Sequence, residues 1–197
     1  MTPLVIATKN QGKVKEFKEI LQGLPFKVLS LLDFPQCPDI EESGSTFREN
    51  AVLKAETLRD YTEHIVLADD SGLEVDFLEG KPGVYSARFA GEGSSDEENN
   101  RKLLGLLKDV PWEKRGAQFT CVIAISPPHR ETVVVEGTCR GVITLEPRGN
   151  LGFGYDPLFL VPEYEKTFSE LGPDIKNNIS HRGNAMKKAL EVLKELV

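Results

Sequence analysis

Two adjacent carboxylates are the first residues whose types and spacing could do chemistry. Asp69 and Asp70 directly follow the apolar residues 65–68 and precede Ser71 and Gly72. Neighbouring carboxylates repel each other unless a cation or hydrogen-bond donors lie between them. Mg²⁺ accepts such oxygen ligands and takes waters and substrate phosphates as the rest of its shell. A magnesium site is therefore one interpretation, and an Asx turn or a helix cap is the other.

A second segment, residues 8–13, has the composition of a phosphate-binding turn. It follows an apolar run at residues 4–7 and precedes apolar residues at helical spacing. A turn from a strand into a helix presents unpaired backbone N–H groups and the positive end of the helix dipole, both of which favour anions. The segment consists of Thr8, Lys9, Asn10, Gln11, Gly12 and Lys13. An ordinary capped turn with solvated lysines remains the alternative, because no Walker-type spacing is present.

Three further groups of residues suit ligand binding. In residues 152–157, glycines flank Phe153 and Tyr155, so the backbone can approach a ligand while an aromatic ring stacks on a base and Asp156 accepts hydrogen bonds. Lys176 and the Ser180-His181-Arg182 run supply donors for an anion or a purine carbonyl. Glu41 and Glu42 could add carboxylates to a metal site. Each group also has an ordinary structural interpretation, as an aromatic turn, a surface pair or a solvated acidic loop.

Alternating strand and helix patterns must position these residues. Apolar runs predict strands at residues 4–7, 65–68, 119–125, 132–136, 141–145 and 158–161. Alternation of apolar and acidic residues predicts a further, half-exposed strand at residues 73–77. Helical periodicity predicts helices after residue 13, from about residue 46, from residue 95 or 96, and over residues 182–197. The spacing of Thr46 and Glu49 fits a capping box, and Glu98 supports a cap at residue 95 or 96. The helix that begins near Thr46 should bury Phe47, Ala51 and Leu58. Strands and helices alternate early and strands cluster later, which predicts a single α/β domain over residues 1–197 with a mixed sheet flanked by helices.

Composition limits the classes of function. The chain has 197 residues, and its net charge of −7 argues against a general nucleic-acid binder, which needs a basic face. No apolar stretch approaches the roughly 18 residues of a membrane span. The three cysteines lack the spacing of a disulfide framework or a zinc site. We therefore expect a cytoplasmic protein with a small-molecule ligand, and no nucleic-acid or membrane partner.

Six ordered motifs together resemble the inosine triphosphate pyrophosphatase family, also called Ham1-like or non-standard purine NTP pyrophosphatases. The motifs are Thr8-x-Asn10-x-x-Lys13, residues 41–51 (EESGSTFRENA), residues 68–73 (ADDSGL), residues 82–88 (PGVYSAR), residues 152–157 (GFGYDP) and residues 179–182 (ISHR). They extend from the first predicted strand to the last predicted helix. The resemblance thus covers essentially the whole chain.

The resemblance implies an elongated mixed sheet with two lobes and a central cleft. It also implies a homodimer that uses Mg²⁺ to hydrolyse ITP, dITP and XTP to the monophosphate and pyrophosphate, which removes non-standard nucleotides from the pool. Glu41 and Asp70 would be metal ligands, and Asp70 would also be the proton acceptor. The substrate would contact residues 8–13, Lys54, Ser71, Phe153, Gly154, Tyr155, Asp156, Lys176, His181 and Arg182.

The residue types agree with this chemistry, although two alternatives remain open. Attack of water on phosphorus needs neutralised phosphate charge and a carboxylate that orients the water. No arrangement of Cys, Ser or His indicates a covalent nucleophile. A Maf-like pyrophosphatase would share the fold but should lack the GFGYDP and SHR motifs. A non-catalytic nucleotide-binding module is disfavoured, because clustered carboxylates hinder triphosphate binding unless a metal is present.

Overall fold

Seven strands form one mixed sheet in the computed structural model, which describes residues 1–196. The strands are β1 (Thr2–Ile6), β2 (Phe26–Ser30), β3 (Ile65–Val75), β4 (Gly116–Ser126), β5 (Val133–Ile143), β6 (Phe159–Val161) and β7 (Lys166–Thr167). Their order in the sheet is β2-β1-β3-β4-β5-β6-β7. β1 pairs in parallel with β2 and β3, whereas β6 pairs antiparallel with β5 and β7. The prediction of a mixed sheet rather than a purely parallel one is confirmed.

Five α-helices accompany the sheet in the described part of the chain. They are α1 (Gln11–Ile20), α2 (Phe47–Thr62), α3 (Asp96–Leu106), α4 (Pro173–Ile179) and α5 (His181–Lys194). None of the helices within residues 1–196 is long and apolar enough to cross a membrane. Contacts divide the chain into two compact units. The first contains Met1–Asp70, Cys121–Gly137 and the described residues from Arg182 onward, and the second contains Ser71–Thr120 and Thr138–His181.

The first unit has its own apolar core beneath α1 and α5. The core includes Leu4 and Ile6 of β1, Phe17 of α1, and Ala185 and Met186 of α5, all fully buried. The alternation along β1 and the helical spacing on α1 place these side chains on one face of each element. Burial of this face stabilises the two helices more than their intrinsic propensity does.

α2 begins where the sequence predicts it. The Thr46 side chain accepts a hydrogen bond from the backbone N–H of Glu49, 3.1 Å away. The Glu49 carboxylate, however, accepts from the N–H of Ser45 rather than from that of Thr46, so the predicted capping box is displaced by one residue. Phe47, Ala51 and Leu58 are buried as predicted.

The second unit has a separate core that surrounds aromatic side chains. Phe159 and Phe168 are fully buried with ring centroids 4.9 Å apart, and Leu103 and Leu107 pack into the same cluster. α3 carries a complete capping box, in which the Ser95 hydroxyl accepts from Glu98 N–H and the Glu98 carboxylate accepts from Ser95 N–H. This cap fixes the start of α3 at Asp96, as the sequence predicts.

The structure corrects several predicted elements. β3 does not end before Asp69 but continues through both aspartates to Val75, and β5 joins two segments that were predicted as separate strands. Phe77 lies in a short 3-10 helix (Asp76–Leu78) and not in the strand. The sequence patterns missed β2, β7 and α4. These elements are two to seven residues long, so local periodicity carries little signal for them.

Arg115 joins the loop after α3 to the end of β5 in the second unit. Its guanidinium group is buried and donates to the backbone oxygens of Leu107 and Ile143 at 2.6 and 2.8 Å, and to that of Thr144 at 2.7 Å. Burial lowers the pKa of this guanidinium. Each carbonyl would be left without this donor if the side chain were removed.

We expect Arg115→Met to lower the free energy of unfolding by about 3 kcal/mol, because hydrogen bonds to a charged group contribute about 1.5–3 kcal/mol each. Urea denaturation measures the change. Arg140→Met is the control, since exposed Arg140 pairs with exposed Asp76 at 2.6 Å and such pairs contribute about 0–1 kcal/mol. Equal stability of the two variants would contradict the structural role of Arg115.

Candidate active site

The turn between β1 and α1 is built as an N-terminal helix cap with exposed polar groups. The Asn10 side chain accepts from the N–H of Lys13 at 3.1 Å, and the Thr8 hydroxyl accepts from the N–H of Asn10 at 3.1 Å. Gln11 is exposed, whereas Gly12 is half-buried. The exposed ammonium group of Lys9 lies 2.5 Å from the Asp39 carboxylate. The turn therefore places two lysines at the positive end of α1, and phosphate binding by this turn stays a prediction.

Asp69, the first of the two adjacent aspartates of β3, forms an ion pair with Lys13 of this turn. Its carboxylate is buried and lies 2.9 Å from the Lys13 ammonium and 3.4 Å from the Arg182 guanidinium. Arg182 also pairs with Glu16 of α1 at 2.5 Å. Burial opposes ionisation of Asp69, but the charges of Lys13, Arg182 and Lys54 prevail and hold its pKa well below the usual range. Asp69 is thus a buried carboxylate that binds two cations.

Asp70 has a less compensated environment. Its carboxylate accepts from the side-chain amide of Asn50 at 3.0 Å and lies 3.8 Å from the Lys54 ammonium. Burial and the nearby Glu42 carboxylate raise the pKa of Asp70 to about 6, against the opposing charges of Lys54 and Lys13. The two adjacent carboxylates therefore differ in electrostatic environment. Nearby cations lower the pKa of Asp69, whereas burial raises that of Asp70.

Lys54 is the cation shared by these carboxylates. Its ammonium donates to Glu42 at 2.8 Å and to the backbone oxygen of Asp69 at 2.6 Å. Burial alone would lower the pKa of Lys54, but Asp69, Asp70 and Glu42 raise it above its ordinary value. The predicted contact of Lys54 with substrate phosphates stays a prediction.

Asp70 supplies a carboxylate oxygen of the kind that a divalent cation binds. In the part of the chain that the structure describes, no group of three or more His, Cys, Asp or Glu side chains could hold a metal by itself. Mg²⁺ commonly uses only one or two carboxylates plus substrate phosphates, and Asp70 offers such an oxygen at a poorly neutralised position. Glu41 is exposed, whereas Glu42 is the loop carboxylate that reaches Lys54 and acts on Asp70. The donor chemistry fits a magnesium ion, although the sequence did not indicate the part played by Glu42.

In the second unit, the residues of the GFGYDP motif meet Lys176 of α4. The Lys176 ammonium lies 2.7 Å from the Asp156 carboxylate and 4.9 Å from the centroid of the Phe153 ring. Asp156 also accepts from the N–H of Phe153 at 3.0 Å. The structure thereby brings together three residues predicted to bind a nucleoside.

Gly152 permits this close approach of Asp156. It has a φ of +79°, and a Cβ atom built on it would lie 2.1 Å from an Asp156 carboxylate oxygen. Only glycine adopts this conformation and leaves this space without strain. Tyr155, in contrast, is buried, and its hydroxyl donates to the Ser86 backbone oxygen at 2.7 Å. Of the two aromatic rings proposed for base stacking, the Tyr155 ring belongs to the core and the half-buried Phe153 ring remains the candidate.

The remaining predicted site residues have distinct surroundings. The buried His181 ring stacks on Phe119 with centroids 4.5 Å apart. Ser71 is half-buried in β3 and directly follows Asp70. Arg182 follows His181 in sequence, but it is tied to Glu16 and Asp69 instead of standing beside the imidazole as a simple surface pair.

Two residues that contact the predicted site were not identified as functional candidates. Asn50 donates to Asp70 while its side-chain oxygen accepts from the N–H of Gly44 at 2.7 Å. Glu16 binds Arg182. A signal was present for Asn50, because it lies four residues before Lys54 and so on the same helix face, among buried apolar positions. No local signal identifies Glu16, since its partner lies 166 residues away.

Together, the mixed sheet, the capped cationic turn and the buried acid–base cluster define an α/β protein suited to a phosphorylated ligand. The chain belongs to the Ham1 family, whose sequence pattern matches residues 4–192.

Relatives of known name and structure agree with this assignment. A dITP/XTP pyrophosphatase of Desulforamulus reducens is 55% identical over 193 residues, which are 98% of this chain and 96% of the relative. The Staphylococcus aureus Ham1 protein is 45% identical, with a TM-score of 0.88 and full coverage of both chains. A HAM1 protein from Coxiella burnetii is 43% identical, with a TM-score of 0.89 over 99% of this chain and 100% of that one.

The unequal environments of Asp69 and Asp70 predict unequal effects on stability. Asp69→Asn should lower the free energy of unfolding by about 3 kcal/mol, since removal of one partner of a buried ion pair leaves uncompensated charge. Asp70→Asn should change it by less than about 1 kcal/mol, because Lys54 keeps its contacts with Glu42 and the Asp69 backbone oxygen.

Chemical denaturation without added metal or nucleotide compares the two variants. The same loss of stability in both would contradict the difference between the two sites.

Proposed function

We propose that this chain hydrolyses dITP, ITP and XTP between the α- and β-phosphates, releasing the nucleoside monophosphate and pyrophosphate. Relatives named dITP/XTP pyrophosphatase share about half of its residues over nearly its whole length. The observation that carries the proposal is the 2.9 Å ion pair between Lys13 and Asp69. It joins an anion-binding helix turn to the paired carboxylates that the reaction needs.

The first unit would bind the phosphates and orient water. The N–H groups of the α1 turn, with Lys9 and Lys13, bind phosphate oxygens. Lys54 adds charge beside Asp70, and Asn50 holds the Asp70 carboxylate in one orientation so that it accepts a proton from the attacking water. Mg²⁺ bound by Glu41 and Asp70 would supply neutralisation of the charge that grows on the phosphate oxygens.

Nucleoside recognition is assigned to the residues around the GFGYDP motif. Phe153 offers its ring to the base, and Asp156 and Lys176 offer one acceptor and one donor that already orient each other. His181, Arg182 and Ser71 are the other residues that the family resemblance assigns to the substrate. Donors would favour hypoxanthine and xanthine, which carry an oxygen at the purine 6-position, over adenine, which carries an amine. The backbone of Gly154 and Tyr155 lies next to Phe153 and contributes to the shape of this site.

We further propose that the chain acts as a homodimer in the cytoplasm. Cys37, Cys121 and Cys139 are free thiols, which suits a reducing compartment. The dimer follows from the family resemblance, and size-exclusion chromatography with light scattering measures it directly.

With Mg²⁺, we expect pyrophosphate release from ITP, dITP and XTP at least about 100-fold faster than from ATP, because a site that binds the 6-oxygen leaves its donors unpaired against an amine.

Asp70→Asn should retain the fold and lose at least about 100-fold in kcat. Asp60→Asn is the control, since Asp60 is exposed on the same helix as Lys54. Release of orthophosphate alone, or an unchanged rate in Asp70→Asn, would contradict the proposal.

Paired variants separate the roles of the two loop glutamates. If Glu41 is a metal ligand, Glu41→Gln should raise the Mg²⁺ concentration for half-maximal rate about tenfold or more. Glu42→Gln removes the partner of Lys54 and should change the Mg²⁺ requirement less. Rates measured across a Mg²⁺ titration distinguish them. A larger shift for Glu42→Gln than for Glu41→Gln would move the ligand assignment to Glu42.

A further inference from the structure

Two side chains of α3 hold both polar backbone atoms of Gly154. The Asp96 carboxylate accepts from the Gly154 N–H at 2.7 Å, and the Asn100 side-chain amide donates to the Gly154 carbonyl oxygen at 3.1 Å. Asp96 and Asn100 are four residues apart, so they project from the same helix face. One face of α3 therefore holds the middle of the GFGYDP loop through hydrogen bonds to the N–H and the carbonyl oxygen of Gly154.

The loop needs an external restraint of this kind. Gly152 and Gly154 both have positive φ, at +79° and +60°, which glycine reaches with little steric cost. The same freedom gives glycine the largest loss of conformational entropy on ordering. A Cβ atom on Gly154 would meet nothing within 4 Å, so side-chain packing does not fix this position. Hydrogen bonds from α3 provide the restraint instead.

Gly154 lies between Phe153 and Asp156, the two side chains of the loop that are proposed to contact the nucleoside. Phe153 precedes Gly154 and stands over the Lys176 ammonium, and Asp156 follows two residues later and binds the same ammonium. A rotation of the backbone at Gly154 would change the direction of the Phe153 ring relative to the Asp156 carboxylate. Tyr155 anchors the loop on its other side through Ser86.

α3 is itself firmly placed, so it can act as a support. Its first turn is closed by the Ser95 and Glu98 capping box, and Leu103 is fully buried in the core of the second unit. The adjacent Asn99 is buried and binds the N–H of Ala90 at 2.7 Å and the carbonyl of Ala87 at 3.1 Å. The helix thereby joins two loops to one core.

We propose that Asp96 and Asn100 are positioning residues for nucleoside recognition, which they support by fixing the Gly154 backbone and with it Phe153 and Asp156. The inference rests on the proposed function, because it assigns a task to residues outside the nucleoside-binding set. Neither residue touches the substrate in this scheme. Their loss acts on substrate affinity and not on the hydrolytic step, whose residues belong to the first unit.

The test uses Asp96→Ala and Asn100→Ala in the full-length protein. Each removes one hydrogen bond, and a bond to a charged group contributes about 1.5–3 kcal/mol. We expect KM for ITP and Kd for IMP to rise about tenfold in Asp96→Ala, with kcat within about twofold of the wild type. Asn100→Ala removes a neutral hydrogen bond, and we expect a rise of about fivefold.

Two matched variants separate positioning from helix stability. Asp96→Asn keeps an acceptor oxygen for the Gly154 N–H and should restore most of the affinity. Glu97→Ala removes the neighbouring exposed acid from the same helix turn, with the same loss of favourable dipole interaction, and should leave KM unchanged. A loss that merely reflected a weaker helix would affect Glu97→Ala and would not be rescued by Asp96→Asn.

Hydrogen exchange of the Gly154 amide, followed by NMR, provides a readout that does not depend on activity. Faster exchange in Asp96→Ala together with raised KM supports the proposal. Unchanged exchange, or faster exchange with unchanged KM and Kd, overturns it. A wild-type protein that releases no pyrophosphate from ITP, dITP or XTP overturns the proposed function instead, which the wild-type assay shows before any variant is compared.

Discussion

The buried carboxylate of Asp69 is the interaction on which the rest of the candidate site depends. An isolated carboxylate removed from water is unfavourable by several kcal/mol, so it requires cations and donors close by. Lys13 and Arg182 supply this charge from α1 and α5, while β3 holds the carboxylate between them. The ion pairs that stabilise Asp69 also hold α1 and α5 against β3.

This arrangement explains why β3 continues through two aspartates. A charged pair in the middle of a buried strand would normally end it, since desolvation opposes both charges. Here Asp69 is neutralised by its partners, and Asp70 receives an amide hydrogen bond from Asn50 and a distant contact with Lys54. The strand consequently carries one carboxylate that is paired with two cations next to one whose charge is less compensated. An incompletely compensated carboxylate is a common feature of functional sites.

In the second unit, a glycine-rich loop must be held in one conformation. This candidate nucleoside loop is rich in glycine because Asp156 must approach the backbone of Gly152 closely. Glycine allows this approach but leaves the loop without side-chain packing at Gly154. Hydrogen bonds from α3 and the buried Tyr155 hydroxyl restrict the loop again. Hydrogen bonds thus hold the glycine-rich loop in place, which keeps the side chains of Phe153, Asp156 and Lys176 at fixed positions relative to one another.

The sequence alone determined the mixed α/β class, the cap of α3, the turn at residues 8–13 and the candidate residues, because these depend on local periodicity, capping and motif spacing. It could not determine that β3 continues past Asp70, that Glu42 and not Glu41 reaches Lys54, or that Tyr155 belongs to the core. Asn50 and Glu16 likewise became visible only through their partners Asp70 and Arg182, which are 20 and 166 residues away. Only the tertiary structure decides such matters, because the charge and burial of a side chain are set by neighbours that chain order does not place beside it.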